Sequence, residues 1–410
     1  MFYGWWLVLV GALAMGLAIS PMFQGLGVFF VTLRSQFGWS QVAVSGAFSL
    51  ARAEDTVIGP LVGYLTDKLG ARRMVFIGFL TLGVGYLLFS VVQNIVMFYA
   101  AFFVLAIGSG FAGFLPVMSV LNNWFIRRRA SAMGISQSGV HLGGALVVPA
   151  LAWAVTVADW RITCVVLAMV MFVVAGPISA AFRNRPEDHG QFPDGDLRIQ
   201  DVSADQSAAN KVESVDFTLR QALKTRTFWF ISFGHALAAN VFVTMAIYSI
   251  AMIIEKGFTL GQAAAVVATF TMVAGVAQFC GGFISDRLPT RLAIIGLILT
   301  QSLGVMIAVL AQNLYALVLF AVVFGVGAGA RVPLLVAIRG DYFGRKSFAT
   351  IFGFSSIPIS AILIAGPILV GYLAEQLGSY NVPFLGVATA GMVGALLMAF
   401  AKRPVLAQAA

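Results

Sequence analysis

Charge is scarce in this chain. Only 10% of its 410 residues are charged, against about a quarter in soluble domains, while 60% are apolar. That scarcity excludes a globule solvated by water on all sides. Cysteine is scarcer still: Cys164 and Cys280 are the only two, both inside apolar stretches, which excludes a disulfide framework and a thiolate metal site. Three histidines, His141, His189 and His235, lie far apart and make no catalytic constellation or metal cluster with those cysteines, so neither enzyme activity nor a bound metal is expected. A Gly-Lys-Ser/Thr phosphate loop is also missing, so nucleotide is not expected to drive the protein, and no cofactor is expected. Met1 to Trp6 lacks a basic n-region, and Tyr3, Trp5 and Trp6 suit a membrane interface, so the first apolar stretch is expected to be retained.

What the chain does have is long apolar runs. About 20 apolar residues are needed to cross roughly 30 Å of hydrocarbon. Twelve such spans are predicted: Trp5 to Leu33, Gln41 to Thr66, Met74 to Val92, Ile95 to Leu121, Ser131 to Val157, Ile162 to Phe182, Thr227 to Ile254, Gln262 to Ser285, Leu292 to Ala311, Leu314 to Ile338, Phe348 to Ala374 and Val382 to Phe400. The fold class expected is an all-α polytopic membrane protein of twelve transmembrane helices.

The basic residues are sorted. All but Arg34, Arg52, Arg161, Lys256 and Arg331 of the 25 Lys and Arg, Arg339 included, fall in polar gaps on one side of the predicted spans. By the positive-inside rule that side is cytoplasmic, and an even number of spans brings both termini and the long middle loop there. The expected location is a plasma membrane, the bacterial inner membrane. The net charge of +9 follows from this asymmetry and from attraction to an anionic leaflet, so no nucleic-acid partner is called for.

The chain is also duplicated. Gly63-Tyr-Leu-Thr-Asp67-Lys68-Leu-Gly70-Ala-Arg72-Arg73 returns as Gly282-Phe-Ile-Ser-Asp286-Arg287-Leu-Pro-Thr-Arg291, offset by 219 residues, and Trp124-Phe125-Ile-Arg127-Arg128 returns as Tyr342-Phe343-Gly-Arg345-Lys346. A polar linker separates the copies. The expected organisation is an N-terminal six-helix bundle at 1–182, a cytoplasmic linker at 183–226 and a C-terminal six-helix bundle at 227–410, pseudo-symmetric and binding cargo at midplane between them.

The Gly-x-x-x-Asp-Lys-x-Gly-x-Arg-Arg element after the second span resembles the signature of the major facilitator superfamily, and the likeness covers essentially the whole chain. Tyr3-Gly4-Trp5-Trp6, Gly27-Val28-Phe29-Phe30, Phe37-Gly38-Trp39-Ser40, Asn123-Trp124-Phe125 with Arg127 to Arg129, and Asp341-Tyr342-Phe343-Gly344-Arg345 are similar to its monocarboxylate and oxalate/formate antiporter branch. That resemblance implies a secondary transporter of small organic acids, moved with protons or in exchange by alternating access, acting as a monomer. It also implies that the element Asp67, Lys68, Arg72, Arg73, with its echo Asp286, Arg287 and Arg291, locks the cytoplasmic side; the plainer reading is that these cations only set topology.

Several polar residues fall inside spans. Arg52, Glu54 and Asp55 lie near the middle of the second. Arg52 and Asp55 are about 60° apart on one helix face, leaving Glu54 to find another partner, carry a proton, or join a permanent ion network. Arg331 in the tenth span offers a planar fork to a carboxylate, or else binds Glu54, Asp55 or backbone carbonyls. Gln24, Gln137, Asn240, Tyr248, Gln278 and His235 are candidates for cargo contact or for interhelical bonds, and His141 for proton relay. Animal members of the branch carry charged residues where this chain has Gln24, Ala274 and Gln278, so an anionic cargo here needs Arg331 or Arg52, and an efflux carrier for amphipathic compounds is a rival. A membrane sensor on the same scaffold would carry a larger soluble domain.

The orientation is open to a direct check. A single cysteine replacing Asp194 in a cysteine-free variant is expected to resist an impermeant maleimide in intact cells and to react after permeabilisation; labelling in intact cells would reverse the assignment.

Overall fold

The computed structural model describes residues 2–39, 58–195, 216–285 and 287–404, and those residues form helices without a strand. The helices are α1 (Gly4–Ile19), α2 (Leu26–Phe37), α3 (58–69), α4 (Ala71–Ser90), α5 (Ile95–Ala112), α6 (Phe114–Trp124), α7 (Arg129–Ala158), α8 (Trp160–Ala181), α9 (Leu219–Lys224), α10 (Arg226–Glu255), α11 (Leu260–Ser285), α12 (Thr290–Leu310), α13 (Leu314–Phe343), α14 (Phe348–Leu377) and α15 (Asn381–Phe400). Hydrocarbon supplies no partner for a backbone N–H or C=O, and a helix satisfies both within itself. Eleven spans among the described residues are long and apolar enough to cross a bilayer. Of the expected second span, residues 41–57 lie outside the described residues, and its end is helical as α3.

Two expected spans are interrupted. The first runs α1, a π-turn over Ser20–Gln24, then α2, and the Gly25 amide donates to the Ser20 carbonyl (2.9 Å) across the widened turn. Pro21, the second residue of that turn, has no N–H to give, and the Ser20 hydroxyl donates to the Val140 carbonyl of α7 (2.9 Å). The fourth breaks at Gly113 into α5 and α6.

By contact, the chain divides into two units. One comprises Met1–Arg127, Ile135–Asp216 and Gly344–Phe354; the other comprises Arg128–Gly134, Phe217–Phe343 and Ser355–Ala410. In the first, α4 packs against α5 and α8; in the second, α12 packs against α13 and α15. The duplication seen in the sequence therefore recurs in the packing, down to single glycines. A Cβ on Gly108 would lie 2.7 Å from the Leu82 amide, and one on Gly327 would lie 2.4 Å from the Gln301 amide, both pairs displaced by the same 219 residues. Gly85 on Leu105 and Gly304 on Phe324 repeat the pattern. Between apolar helices in lipid there is little hydrophobic drive, so close backbone approach through glycine supplies the dispersion contact.

The second unit buries a cluster of Val241, Met245, Phe270, Phe320, Phe324 and neighbours, with the Phe270 and Phe324 rings edge to face at 5.3 Å. At the ends opposite the basic loops, Arg161 donates to the carbonyls of Ser90 (2.6 Å) and Val92 (2.9 Å), and the Lys256 ammonium to that of Val309 (2.6 Å). Both cations thereby satisfy carbonyls at the C-terminal ends of the equivalent helices α4 and α12, where the helix dipole favours positive charge.

Two cations expected in polar gaps are not there. Arg339 is inside α13, 1% exposed, because that helix continues to Phe343, and Arg129 is buried at the start of α7. Their charges are met by side chains and carbonyls rather than water.

Gly139 and Gly329 lie close against facing backbone, a Cβ there falling 2.2 Å from the Ala12 carbonyl oxygen and 2.0 Å from that of Ala274. Replacing either with leucine is expected to cost about 1–3 kcal/mol through overpacking. Thermal unfolding in detergent checks this, with Gly176→Leu, which meets nothing within 4 Å, as the neutral control.

Candidate functional site

Three groups of polar side chains stand out. Two lie inside the helix bundles of their own units and one at a basic end.

In the second unit, Arg331 of α13 is 3% exposed. Its Nε donates to Gln301 Oε1 of α12 (2.6 Å) and its Nη2 to the Ala238 carbonyl of α10 (2.9 Å), which also accepts from Gln301 Nε2 (3.2 Å). Gln301 was not foreseen from sequence; its signal was the paired glycine Gly327, which brings α13 against it. Every partner of Arg331 among the described residues is neutral, and Nη1 has none. The outer edge of the guanidinium is thus still able to fork onto a carboxylate.

Two turns further along α13, Arg339 donates to the Leu335 carbonyl and to Ser355 Oγ (2.7 Å), and its Nη2 lies 3.2 Å from His235 Nδ1. Ser355 and Ser232 share a bond of 2.7 Å. His235 is therefore held by a neighbouring cation, which the sequence reading did not anticipate. Asn240 and Tyr248 both meet the Gly366-Pro367 step of α14: Asn240 packs where any side chain at Gly366 would go, and the Tyr248 hydroxyl donates to the Pro367 carbonyl (3.0 Å). Gln278 is buried in α11, its backbone carbonyl facing Gly134.

In the first unit, Gln24 closes the π-turn of the first span. Gln137 is buried in α7 with its amide on Met118 Sδ of α6 (3.7 Å), and His141, one turn on, is exposed. Arg52, Glu54 and Asp55, the coupling candidates of the second span, lie outside the described residues.

The basic ends carry the best-defined polar geometry. Asp67 sits one residue beyond the predicted second span and accepts from the Thr350 amide (2.7 Å), the Thr350 hydroxyl (2.6 Å) and the Ala349 amide (3.3 Å). Those two amides belong to the open first turn of α14, so the carboxylate caps a helix from outside its own chain segment. The approach requires Gly63, where a Cβ would fall 2.2 Å from the Ala349 carbonyl oxygen. Its repeat Gly282 likewise sits against Ala130, 2.6 Å by the same measure; Asp286 itself lies outside the described residues. Burial pushes the Asp67 carboxyl up to about 6, outweighing the three bonds that favour its ionised form.

Around this cap, Lys68 lies over the Tyr64 ring at 5.7 Å, while Gly70, at φ +83°, turns the chain against Asn184. Arg345 ties the linker down, donating to the Asn123 carbonyl (2.9 Å) and Glu187 (2.5 Å), while its amide donates to Asp216 (2.7 Å). A cavity of about 250 Å³ between Asp67, Asn184, Asp188 and Arg345 is the result. In the second unit Arg129 pairs with Asp341, Arg291 donates to the Ala401 carbonyl (3.3 Å), and Arg287 is exposed in the turn before α12. Asp341 was read in the sequence only as part of a motif; its carboxylate role needed the approach of Arg129, more than two hundred residues away.

Comparison with known proteins agrees with this architecture. A family profile described as Major Facilitator Superfamily matches residues 7–260 and 228–409. Among curated proteins, monocarboxylate transporter 12 of Rattus norvegicus is 22% identical over 97% of this chain and 86% of its own length. Monocarboxylate transporter 11 of Homo sapiens is 24% identical over 93% and 80%. Among solved structures, the major facilitator transporter FucP in its outward conformation superposes with a TM-score of 0.75 at 13% identity, covering 98% of this chain and 100% of that one.

The Asp67 cap has a pH signature. A carboxyl raised from 3.8 to about 6 binds an extra proton in the capped form, so capping is fully favoured below about 4 and weakens as pH rises through about 6. A thiol introduced at Thr350 would disturb the cap, so the probe is a cysteine at Lys346: its alkylation is expected to quicken between pH 5 and 7 in the parent and to lose that extra pH dependence, beyond the thiol's own ionisation, in Asp67→Asn.

Proposed function

The chain belongs to the major facilitator superfamily, and from that premise we propose that it carries a small organic anion, a mono- or dicarboxylate, across the membrane by alternating access. It is a multi-pass secondary transporter, of a family whose matched members move solutes. Likeness to monocarboxylate transporters over nearly the whole chain supports the cargo class.

The single observation that carries the anion assignment is Arg331. A guanidinium buried among neutral groups remains charged at any working pH, and an uncompensated buried charge costs several kcal/mol. A substrate carboxylate reaching the free Nη1 edge offsets that cost. Asn240, Tyr248 and Gln278 in the same unit, with Gln24 and Gln137 in the other, supply neutral hydrogen-bonding groups for the rest of the cargo.

Coupling to protons, or exchange against a second anion, falls to Glu54, Asp55 and Arg52 of the second span, with His141 as a relay. The Asp67 cap on α14 is the element whose making and breaking accompanies the conformational cycle, assisted by Lys68, Arg72, Arg73, Arg287, Arg291 and Asp286. Both termini and the linker face the cytoplasm in this scheme, and one chain suffices for transport. Efflux of amphipathic compounds is the competing reading, favoured by the uncharged Gln24, Ala274 and Gln278.

Proteoliposome uptake of radiolabelled monocarboxylates, with and without a pH gradient, tests the proposal. Arg331→Gln is expected to lower kcat/KM for an acidic substrate roughly 10- to 100-fold, the scale of a lost charge-assisted bond. The variant should remain monodisperse. Unchanged uptake by that variant removes Arg331 from the site, and no uptake of any acid by the parent protein favours efflux.

A further inference from the structure

A groove with basic and apolar walls lies on the first unit. Arg72 and Arg73 open α4, and their side chains are exposed. The Arg72 backbone amide is held by Asn184 Oδ1 (3.1 Å), but among the described residues neither guanidinium has a hydrogen-bond or ion-pair partner. Both line a groove of about 780 Å³ whose other walls are Leu69, Phe76, Ile77, Ser179 and Asn184. Phe76 and Ile77 are each 41% exposed, and the exposed stripe continues down α4 through Val84, Leu87 and Leu88 at helical spacing.

A charged head directly above an apolar runway has the polarity of one particular neighbour. From Arg73 to Val84 the helix rises about 16 Å, which is close to half of a hydrocarbon core roughly 30 Å thick. We propose that this groove is a specific site for an acidic phospholipid, its phosphate forked by Arg72 and Arg73 and one acyl chain lying along Phe76, Ile77 and Val84. The chemistry selects the ligand at both ends. A soluble anion would leave the apolar stripe unused, and a zwitterionic lipid would bring its own cation against two guanidiniums. Asn184 couples the groove to the rest of the basic end: its Oδ1 accepts from the Arg72 amide, and its backbone carbonyl accepts from Asn123 Nδ2 (3.1 Å). Lipid occupancy therefore steadies the same turn that carries Asp67 and Gly70.

The full chain in nanodiscs provides the test. Phosphatidylglycerol in place of phosphatidylcholine is expected to raise the midpoint of thermal unfolding by a few degrees, since a ligand of the folded state stabilises it, and native mass spectrometry should retain at least one bound phosphatidylglycerol. Arg72→Gln with Arg73→Gln should lose both effects, whereas the control pair Lys224→Gln with Arg226→Gln, exposed elsewhere, should keep them. If the double variant does not stay monodisperse, the two single variants are compared, each expected to lose part of the shift. An equal gain in the Arg72 and Arg73 variants overturns the site. So does an equal stabilisation of the parent in phosphatidylcholine discs by inorganic phosphate, which would mark the arginines as a simple anion site.

Discussion

Hydrocarbon offers nothing to hydrogen-bond, and the arrangement of this protein follows from that one constraint. Backbone groups close on themselves in helices, and where a helix is interrupted the freed groups are taken up locally. The first span illustrates it: Pro21 breaks the ladder, a π-turn re-forms it one residue wider, and Ser20 crosses to the Val140 carbonyl. Helices that gain little from hydrophobic attraction are then held by closeness, and the glycines at Gly85, Gly108, Gly304 and Gly327 provide it twice over at the same spacing.

Charge obeys the same rule. Arg161 and Lys256, two of the three basic residues that the sequence assigns to the sparsely charged side, are spent on carbonyls at equivalent helix ends. Arg129 meets Asp341, and Asp67 meets the open first turn of α14, each joining segments from opposite copies of the repeat within one compact unit. Arg331 is also met only by neutral groups among the described residues, and its Nη1, which has none, is the opening on which the proposed anion site rests.

The architecture was legible in the sequence to a large degree. Apolar run lengths gave the spans and the recurrence after 219 residues gave the duplication. The polarity of the gaps singled out the element around Asp67. What went astray did so for a local reason: Arg339 and Arg129 sit beside loops in the sequence, and a rule that counts cations by position cannot tell a loop arginine from one tucked under it. Gln301 and Thr350 carried no signal of their own, being single polar residues among many, and Asp341 stood out only as part of a motif. Each acquires its role only from a side chain far away in the chain.

Hydropathy and internal repetition are sums over neighbouring residues, so the sequence by itself determined that this is a duplicated set of membrane helices. Partnership is not such a sum. Whether Arg331 faces Gln301, whether Asp67 reaches α14, and whether Arg72 and Arg73 stay exposed depend on helix rotation and on approaches of a few ångströms allowed by glycine. Only the packed structure decided those, because a rotation of one residue carries a side chain about 100° around its helix and exchanges every partner it has.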